Sequence, residues 1–498
     1  MVPLLSPRLS LRAWPGILLR AGARGKQLHP ILPVSWGGGL PRLAHSSSSP
    51  LVETLRKRAL VQKVTGLPGQ LDNLVESGPI VAYAGVDATA PSLHVGHLLP
   101  LISLLHFYLH GHHVIALSVE VGKSTASVGD PSGRVAERDS IASRRLGEWF
   151  DSLWAQIEKF FERGREYAVS KGYREANFGK MEMKTNAEWL DGLGLVEFLA
   201  AVGPHIRVNN MLARDSVKGR MSSGTGINFA EFTYQLLQAY DFWHLHRTAN
   251  CRLQIGGSDQ FGNITAGIDL ISRYQPGSTS ESSSTHKEAY GLTAPLLTTE
   301  SGEKIGKSAG NAIWLDGDRT TPFELYQFFV TLPDTHVQKY LQMFTLLPLS
   351  EISTVMDSHA TNPESRAART LLAKEVVTLI HGVGKASEAE FVTKLLFPVG
   401  GEAAFSAADI ISVWGDRVIR VPRAEVIGEM IAKLSRRAGA VKSKSAAQNI
   451  IRSGGMYVGL KNEKVSDPAA VVEEGWLVDG EVLLLRVGKG KFTVVHAV

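Results

Sequence analysis

Two short stretches far apart in the chain carry one kind of chemistry between them. His94-Val95-Gly96-His97 sets two imidazoles around a glycine at the start of a helix, just after Asp87 and Thr89. Lys304-Ile305-Gly306-Lys307-Ser308 sets two ammonium groups on a glycine-containing loop. Such donors suit negative charge that grows on a triphosphate, at an attacked α-phosphate and on the departing pyrophosphate. No side-chain nucleophile is required. Either motif alone is weak, because an H-x-G-H arises by chance and lysine loops are common. Both together, in this order, are a strong signal.

The elements that hold these motifs follow from the pattern around them. Residues 79–87, PIVAYAGVD, read as a buried strand ending in a turn. LLPLISLLHFYLHG then reads as a helix stopped at Gly111, and HVIALSV as the next strand. Strand, helix, strand is a βαβ unit, so the first domain is expected to be α/β with a Rossmann-like parallel sheet. Ligands of such sheets bind at the carboxyl ends of the strands, where YAGVD and HVGH lie. Residues 140–225 read as a mostly helical insertion in which WFDSLWAQIEKFF is strongly amphipathic. FAEFTYQLLQAYDFWHLH reads as a further helix, and CRLQIGGSDQFGN as a strand running into a glycine turn. After AIWLDGD (312–318) the pattern is helical, including ESRAARTLLAKEVVTLIHG. From 421 it changes again: VPRAEVIGEMIAKL reads as a helix, and KSKSAAQNIIRSGGMYVGLKNEKV mixes basic helix, glycine turn and strand. The expected organisation is a catalytic domain over 49–334, an all-helical domain over 335–420 and a small α+β domain over 421–498.

Composition narrows the partners. Of 498 residues 44% are hydrophobic and 20% charged, which is ordinary for a globular chain large enough for two or three domains. The single cysteine, Cys251, excludes an intrachain disulfide and a cysteine metal cluster, and reads as a small buried hydrophobe. A net charge of +5 points modestly to an anionic partner. Part of it lies in the first 50 residues, where Arg8, Arg12, Arg20, Arg24, Lys26 and Arg42 appear with no acid before Glu53. Leucines, serines and arginines without acids match a mitochondrial transit peptide over 1–48, followed by a soluble matrix protein. No later run approaches the roughly 18 apolar residues of a membrane span, so no membrane partner is expected. The serine run of QPGSTSESSSTHKE (275–288) reads as a solvated loop.

With YAGVDATAPSLHVGH, GDPSGR, YQLLQAYD, QIGGSDQFGN and KIGKS in one order, residues 50–498 resemble the tyrosyl-tRNA synthetase family of bacterial and organellar type. HVGH and KIGKS are the signatures of class I aminoacyl-tRNA synthetases, and the transit-like leader makes the mitochondrial members the most similar. The resemblance implies that L-tyrosine and ATP form tyrosyl-adenylate and that the tyrosyl group then passes to tRNA(Tyr). Mg2+ would come with the triphosphate, with no dedicated protein metal site. A homodimer joined through 140–225 is also implied, although packing within the chain explains WFDSLWAQIEKFF equally well.

The resemblance assigns roles residue by residue. Tyr83 and Asp241 would hydrogen-bond the substrate phenol. Tyr234, Gln238 and Asp241 fall at i, i+4 and i+7, one face of a helix. Tyr234 and Gln238, with Asp130 and the neighbouring Gln254, would receive the α-ammonium, which needs acceptors and a carboxylate. On the ATP side lie Gly85 and Asp87, with Thr89 and His94 at the phosphates and His97 at the ribose. Gly96 would allow close backbone approach, and Gly257, Asp259 and Gln260 would form the adenosine-ribose turn. Lys304, Lys307 and Ser308 would close on pyrophosphate, Gly302 and Gly306 serving as hinges. Taken singly, Tyr83 reads as a core tyrosine, Asp241 as a solvated helix residue and the lysines as a surface turn; the surrounding motifs set those readings aside.

Three departures stand out. LSVEVGKSTASVGD is longer than the family's glycine-rich loop into Asp130. Its GKST mimics a P-loop but lacks the first glycine, because position 117 is Leu. Pro100 implies a kink if the helix begins before His94, and GVDAT lacks the proline often found between the Asp and Thr. Residues 431–498 resemble an S4-type RNA-binding domain, with Lys442, Lys444, Arg452, Lys461 and Lys464, beside Arg436 and Arg437, facing tRNA phosphates. The helical stretch corresponds by resemblance to an anticodon-side domain. The alternatives are a tryptophanyl-tRNA synthetase, which shares both signatures, and an RNA-binding or splicing protein on a synthetase scaffold.

Overall fold

Five of the residues that the motifs single out, Tyr83, Gly85, Asp87, Gln254 and Gly257, lie on two neighbouring strands. The chain runs through β1 (Lys63–Val64), β2 (Val81–Asp87), β3 (His113–Val119), β4 (Met181–Thr185), β5 (Cys251–Gly257) and β6 (Tyr290–Ala294). They form a six-stranded sheet in the order β1-β6-β5-β2-β3-β4, parallel throughout except for β1, which runs antiparallel to β6. From β2 the chain moves outward to β3 and β4, then returns to β5 on the other flank of β2. A crevice therefore opens where β2 and β5 end. The parallel register sets Tyr83 beside Gln254 across that boundary.

This computed structural model describes residues 50–119, 130, 132, 143–222, 226–274, 288–297, 312–397, 405–488 and 491–498, all within one compact unit, Ala44–Val498. The leader, the GKST stretch, most of the serine-rich segment, and Lys304, Lys307 and Ser308 lie outside the described residues. Among the described residues, no helix is long and apolar enough to cross a membrane.

Helices α1 (Leu51–Lys57) and α2 (Gln70–Glu76) precede β2, and α3 (Leu98–Leu109) follows it after a single 3-10 turn, Val95–His97. Pro100 is the third residue of α3, inside the first turn, where no intrahelical N–H is needed, so the proline causes no kink. Helix α4 (Ser143–Ser170) is the amphipathic one. Its Leu153, Ile157, Phe160 and Phe161 are buried in the main core of this chain, so packing within the chain accounts for that face. The insertion also contributes a strand, β4, which helical periodicity does not reveal because all five of its residues are only half-buried at the sheet edge. Short helices α5 (Ala187–Leu190), α6 (Leu195–Ala201), α7 (Val208–Leu212) and α8 (Asp215–Ser222) complete it.

Helix α9 (Phe229–Ala249) starts where the Asn228 side chain accepts from the Glu231 N–H and ends at Asn250, in the left-handed region at φ 53. Its first turn is pinned by a buried pair: the Arg220 guanidinium meets both Glu231 carboxylate oxygens, at 3.2 and 2.8 Å. Helix α10 (Phe261–Arg273) packs along it. Helices α11 (Pro322–Val330), α12 (Asp334–Phe344), α13 (Leu349–Thr361), α14 (Ala367–His381) and α15 (Val383–Leu396) share one hydrophobic core with the parallel sheet, Leu325, Phe344 and Leu372 being buried with Leu104 and Val114.

After α16 (Ala407–Trp414), strands β7 (Ile419–Val421), β8 (Met456–Val458), β9 (Glu463–Lys464), β10 (Leu477–Val478), β11 (Val482–Val487) and β12 (Lys491–Ala497) form a second sheet beside α17 (Ile431–Arg437) and α18 (Lys444–Arg452). VPRAEVIGEMIAKL is not one helix: Gly428 at φ 73 breaks it, and only its end continues as α17. Alternation on β11 buries both faces. Leu483 and Leu485 pack with Ile431 and Ile451, while Val482 and Leu484 pack with Phe391, Ile410 and Trp414.

Candidate active site

The crevice between β2 and β5 is lined by Tyr83, Gly85, Asp87, Thr89, His94, Gly96, His97, Asp130, Tyr234, Gln238, Asp241, Gln254, Gly257, Asp259 and Gln260. Every described residue that the sequence assigns to tyrosine or ATP is therefore in one cleft. Pro100, Leu117, Ser132, Leu296 and Leu297 line it as well.

At one side two buried groups await a partner. Tyr83 is 1% exposed, its ring lies 5.3 Å from that of Phe242, and its hydroxyl has no hydrogen-bond partner among the described residues. Burial, then the nearby Asp241 carboxylate, push this phenol well above its ordinary pKa, so it stays protonated. Gln254 Oε1 is likewise buried without a partner among the described residues. An unsatisfied hydroxyl or amide oxygen in a dry pocket costs about 1–3 kcal/mol, which a ligand group of matching polarity would recover.

Asp241 is held from the insertion. Trp189 Nε1 donates to its Oδ1 at 2.8 Å and Asn186 Nδ2 to its Oδ2 at 3.2 Å. Burial nonetheless raises its pKa to about 7; these two hydrogen bonds work against the rise, and the charge of Asp87 adds to it. Each carboxylate oxygen keeps a second lone-pair direction for a ligand donor. Sequence reasoning missed Asn186 and Trp189, since neither lies in a motif and β4, which delivers them, was not foreseen.

A polar network continues along α9 and α10. Tyr234 donates to both Asp87 oxygens, at 2.7 and 2.8 Å, so its own oxygen faces the cleft as an acceptor. Gln260 Nε2 donates to Asp130 Oδ2 at 2.7 Å, and Gln238 Nε2 to Gln260 Oε1 at 3.2 Å. Asp130 also accepts from the Ser132 N–H at 2.9 Å. A Cβ at Gly257 would sit 2.7 Å from Asp259 Oδ1, so a larger residue there would push the Asp259 carboxylate aside.

The two histidines form a reciprocal cap. His94 Nδ1 accepts from the Gly96 N–H and His97 Nδ1 from the His94 N–H, both at 3.1 Å, with the rings stacked 3.8 Å apart. A neutral ring that accepts at Nδ1 carries its proton at Nε2, which makes both residues donors for a phosphate or ribose oxygen. The chain that leaves the KIGKS segment is tied to this cap. Val95 N–H donates to Ile313 O at 3.0 Å and Leu315 N–H to Leu93 O at 2.8 Å.

A parallel sheet with its cleft at the switch point and histidine donors at a helix start, in a chain whose sequence also carries KIGKS, define a class I aminoacyl-tRNA synthetase. The family model described as tRNA synthetases class I (W and Y) matches residues 76–398. Within that class the chain belongs to the tyrosine–tRNA ligase family. It is 38% identical to a mitochondrial tyrosine–tRNA ligase of Saccharomyces cerevisiae, over 91% of this chain and 89% of that one. It is 37% identical to a mitochondrial tyrosine–tRNA ligase of Homo sapiens, over 91% and 93% respectively. The crystal structure of a C-terminally truncated Aspergillus nidulans mitochondrial tyrosyl-tRNA synthetase superposes with a TM-score of 0.64 at 38% identity, covering 71% of this chain and 95% of that one.

Proposed function

We propose that this chain activates L-tyrosine with ATP in mitochondria and transfers the tyrosyl group to the 3′ end of tRNA(Tyr). The observation that carries the reading is the pair at the end of the cleft: a buried Tyr83 hydroxyl, unpartnered among the described residues, beside the Asp241 carboxylate. A phenol donates to Asp241 and accepts from Tyr83, satisfying both at once. Tyrosine-dependent exchange of pyrophosphate into ATP is the test.

Tyr234, Gln238 and Asp130 receive the ammonium, which leaves the substrate carboxylate directed at the triphosphate. A carboxylate oxygen attacks the α-phosphorus, the bond to the bridging β-oxygen breaks, and pyrophosphate leaves with that electron pair. The carboxylate is already ionised, so no base is needed. His94 offers a donor where charge accumulates and His97 one at the ribose, and Lys304 and Lys307 close on the leaving group. Asp259 accepts from the ribose hydroxyls. Mg2+ arrives with the triphosphate and shields its charge. In the second step a hydroxyl of the terminal tRNA ribose attacks the tyrosyl carbonyl and AMP leaves.

Helices α11–α15 serve as the anticodon-side region and the S4-like C-terminal part as a phosphate clamp. Lys442, Lys444, Arg452, Lys461 and Lys464 are all exposed, just before or on α18 and between or on β8 and β9. Charge reversal at Lys442, Lys444 and Arg452 is expected to weaken tRNA charging. It should also lower the salt slope of tRNA binding by roughly one unit for each phosphate no longer neutralised. Tyrosine activation stays unchanged. Charging that persists at all salt concentrations would remove the clamp. Substitution is a cleaner test than removal of the tail, because β11 and β12 cover Phe391, Ile410 and Trp414.

Dimerisation falls to a different part of the insertion from α4. Leu195 and Val196 on α6 and Phe229 at the start of α9 are 72%, 79% and 77% exposed, with Val208 and Met221 also exposed on α7 and α8. Such an apolar surface fits a second copy of the chain. Sedimentation at micromolar concentration is expected to give a dimer that Val196→Glu dissociates; a fully active monomer would contradict this.

A further inference from the structure

Asn263 is the third residue of α10, 6% exposed, and lies behind the cleft wall without lining the cleft. Its Nδ2 faces four acceptors: Gln238 Oε1 at 2.9 Å, Gln260 Oε1 at 3.2 Å, Ser132 Oγ at 3.2 Å and Asp130 Oδ1 at 3.5 Å. Two amide hydrogens cannot serve four acceptors, so the nearest are served first and Asp130, the farthest, keeps lone pairs for the cleft.

The direction of the whole chain of amides is set at its ends. Asp130 only accepts when ionised, so Gln260 must turn its Nε2 toward it, as it does at 2.7 Å. Gln260 Oε1 then faces Gln238 Nε2 and Asn263 Nδ2. With its nitrogen used there, Gln238 has its oxygen on the remaining side, where Asn263 donates to it. Without that donor at 2.9 Å, the hydrogen bond seen at Gln238 among the described residues that still resists its amide turning over, and aiming an N–H at a cation in the cleft, is the longer one from its Nε2 to Gln260 Oε1 at 3.2 Å.

We propose that Asn263 is a positioning residue that holds the Gln238 amide with its oxygen, not its nitrogen, available to the α-ammonium of the amino-acid substrate. The proposal rests on the tyrosine reading above. Asn263 never touches the substrate; it selects which end of a symmetric-looking amide does.

The test uses the full chain with Asn263→Asp, which keeps the shape and removes the donor, and Asn263→Ser as a second variant should the first fail to fold. Two quantities are compared with wild type: the tyrosine KM and kcat in pyrophosphate exchange, and competitive inhibition by 3-(4-hydroxyphenyl)propionate, which has the phenol and carboxylate but no amino group. The tyrosine KM is expected to rise at least about tenfold, the loss typical of one hydrogen bond to a charged group, with kcat nearly unchanged. Inhibition by the des-amino analogue is expected to stay at its wild-type value. Equal loss of tyrosine and analogue would mean a general collapse of the pocket and would overturn the proposal, as would an unchanged tyrosine KM. A wild-type protein that binds neither compound would instead overturn the substrate reading itself, so the two failures are distinguishable.

Discussion

Lys304→Ala and Lys307→Ala each slow adenylate formation by roughly 10²–10³-fold while leaving tyrosine affinity nearly unchanged, the loss expected for one donor aimed at transition-state charge. The expectation follows from the motif. Leu297 at the near end of the intervening segment lines the cleft, and Ile313 and Leu315 at its far end are hydrogen-bonded to the segment that carries His94. The stretch between these ends carries both lysines in the sequence, and their role at the triphosphate is the one proposed above. Single-turnover measurement of adenylate formation separates the two quantities. Weaker tyrosine binding with an unchanged chemical step would place the lysines elsewhere.

Asp241→Ala is expected to lower kcat/KM for tyrosine by roughly 10- to 150-fold, corresponding to about 1.5–3 kcal/mol for a hydrogen bond to a charged group. Activity with phenylalanine is expected to hold or rise, because that substrate brings no hydroxyl to leave unpaired. The same residue sets a pH dependence. Its pKa is raised to about 7 by burial, and a phenol that donates to the carboxylate favours the ionised form. Tyrosine binding therefore lowers that pKa and releases a proton. Affinity is full above pH 7 and falls as the pH drops through 7, by up to about tenfold per unit. Asp241→Asn removes this dependence. A variant equally selective against phenylalanine, or a wild-type affinity flat from about pH 6 to 8, would place Asp241 outside the phenol pocket.

Much of the cleft was legible because its residues lie in contiguous motifs at the ends of β2 and β5, or at helical spacing on α9. Tyr83, Asp87, Gln254 and Asp259 lie on or just beyond those strands, and Tyr234, Gln238 and Asp241 share one helix face. What stayed hidden is the layer behind them. Asn186 and Trp189 reach Asp241 through the β4–α5 connection, whose half-buried edge strand leaves no alternating pattern to read. Asn263 stood in plain view within QIGGSDQFGN, but only the packing of α10 on α9 shows that its amide serves Gln238 and Gln260. The amphipathic α4 illustrates the converse limit: periodicity reveals an apolar face, and only the fold reveals what covers it.

The central claim is that the Tyr83–Asp241 end of the cleft selects tyrosine for activation by ATP. Amino-acid-dependent exchange of pyrophosphate into ATP tests it most directly, run with each of the twenty amino acids, with Mg2+ and without tRNA. The account predicts exchange with tyrosine alone. Exchange supported better by tryptophan, or by no amino acid at all, would contradict it.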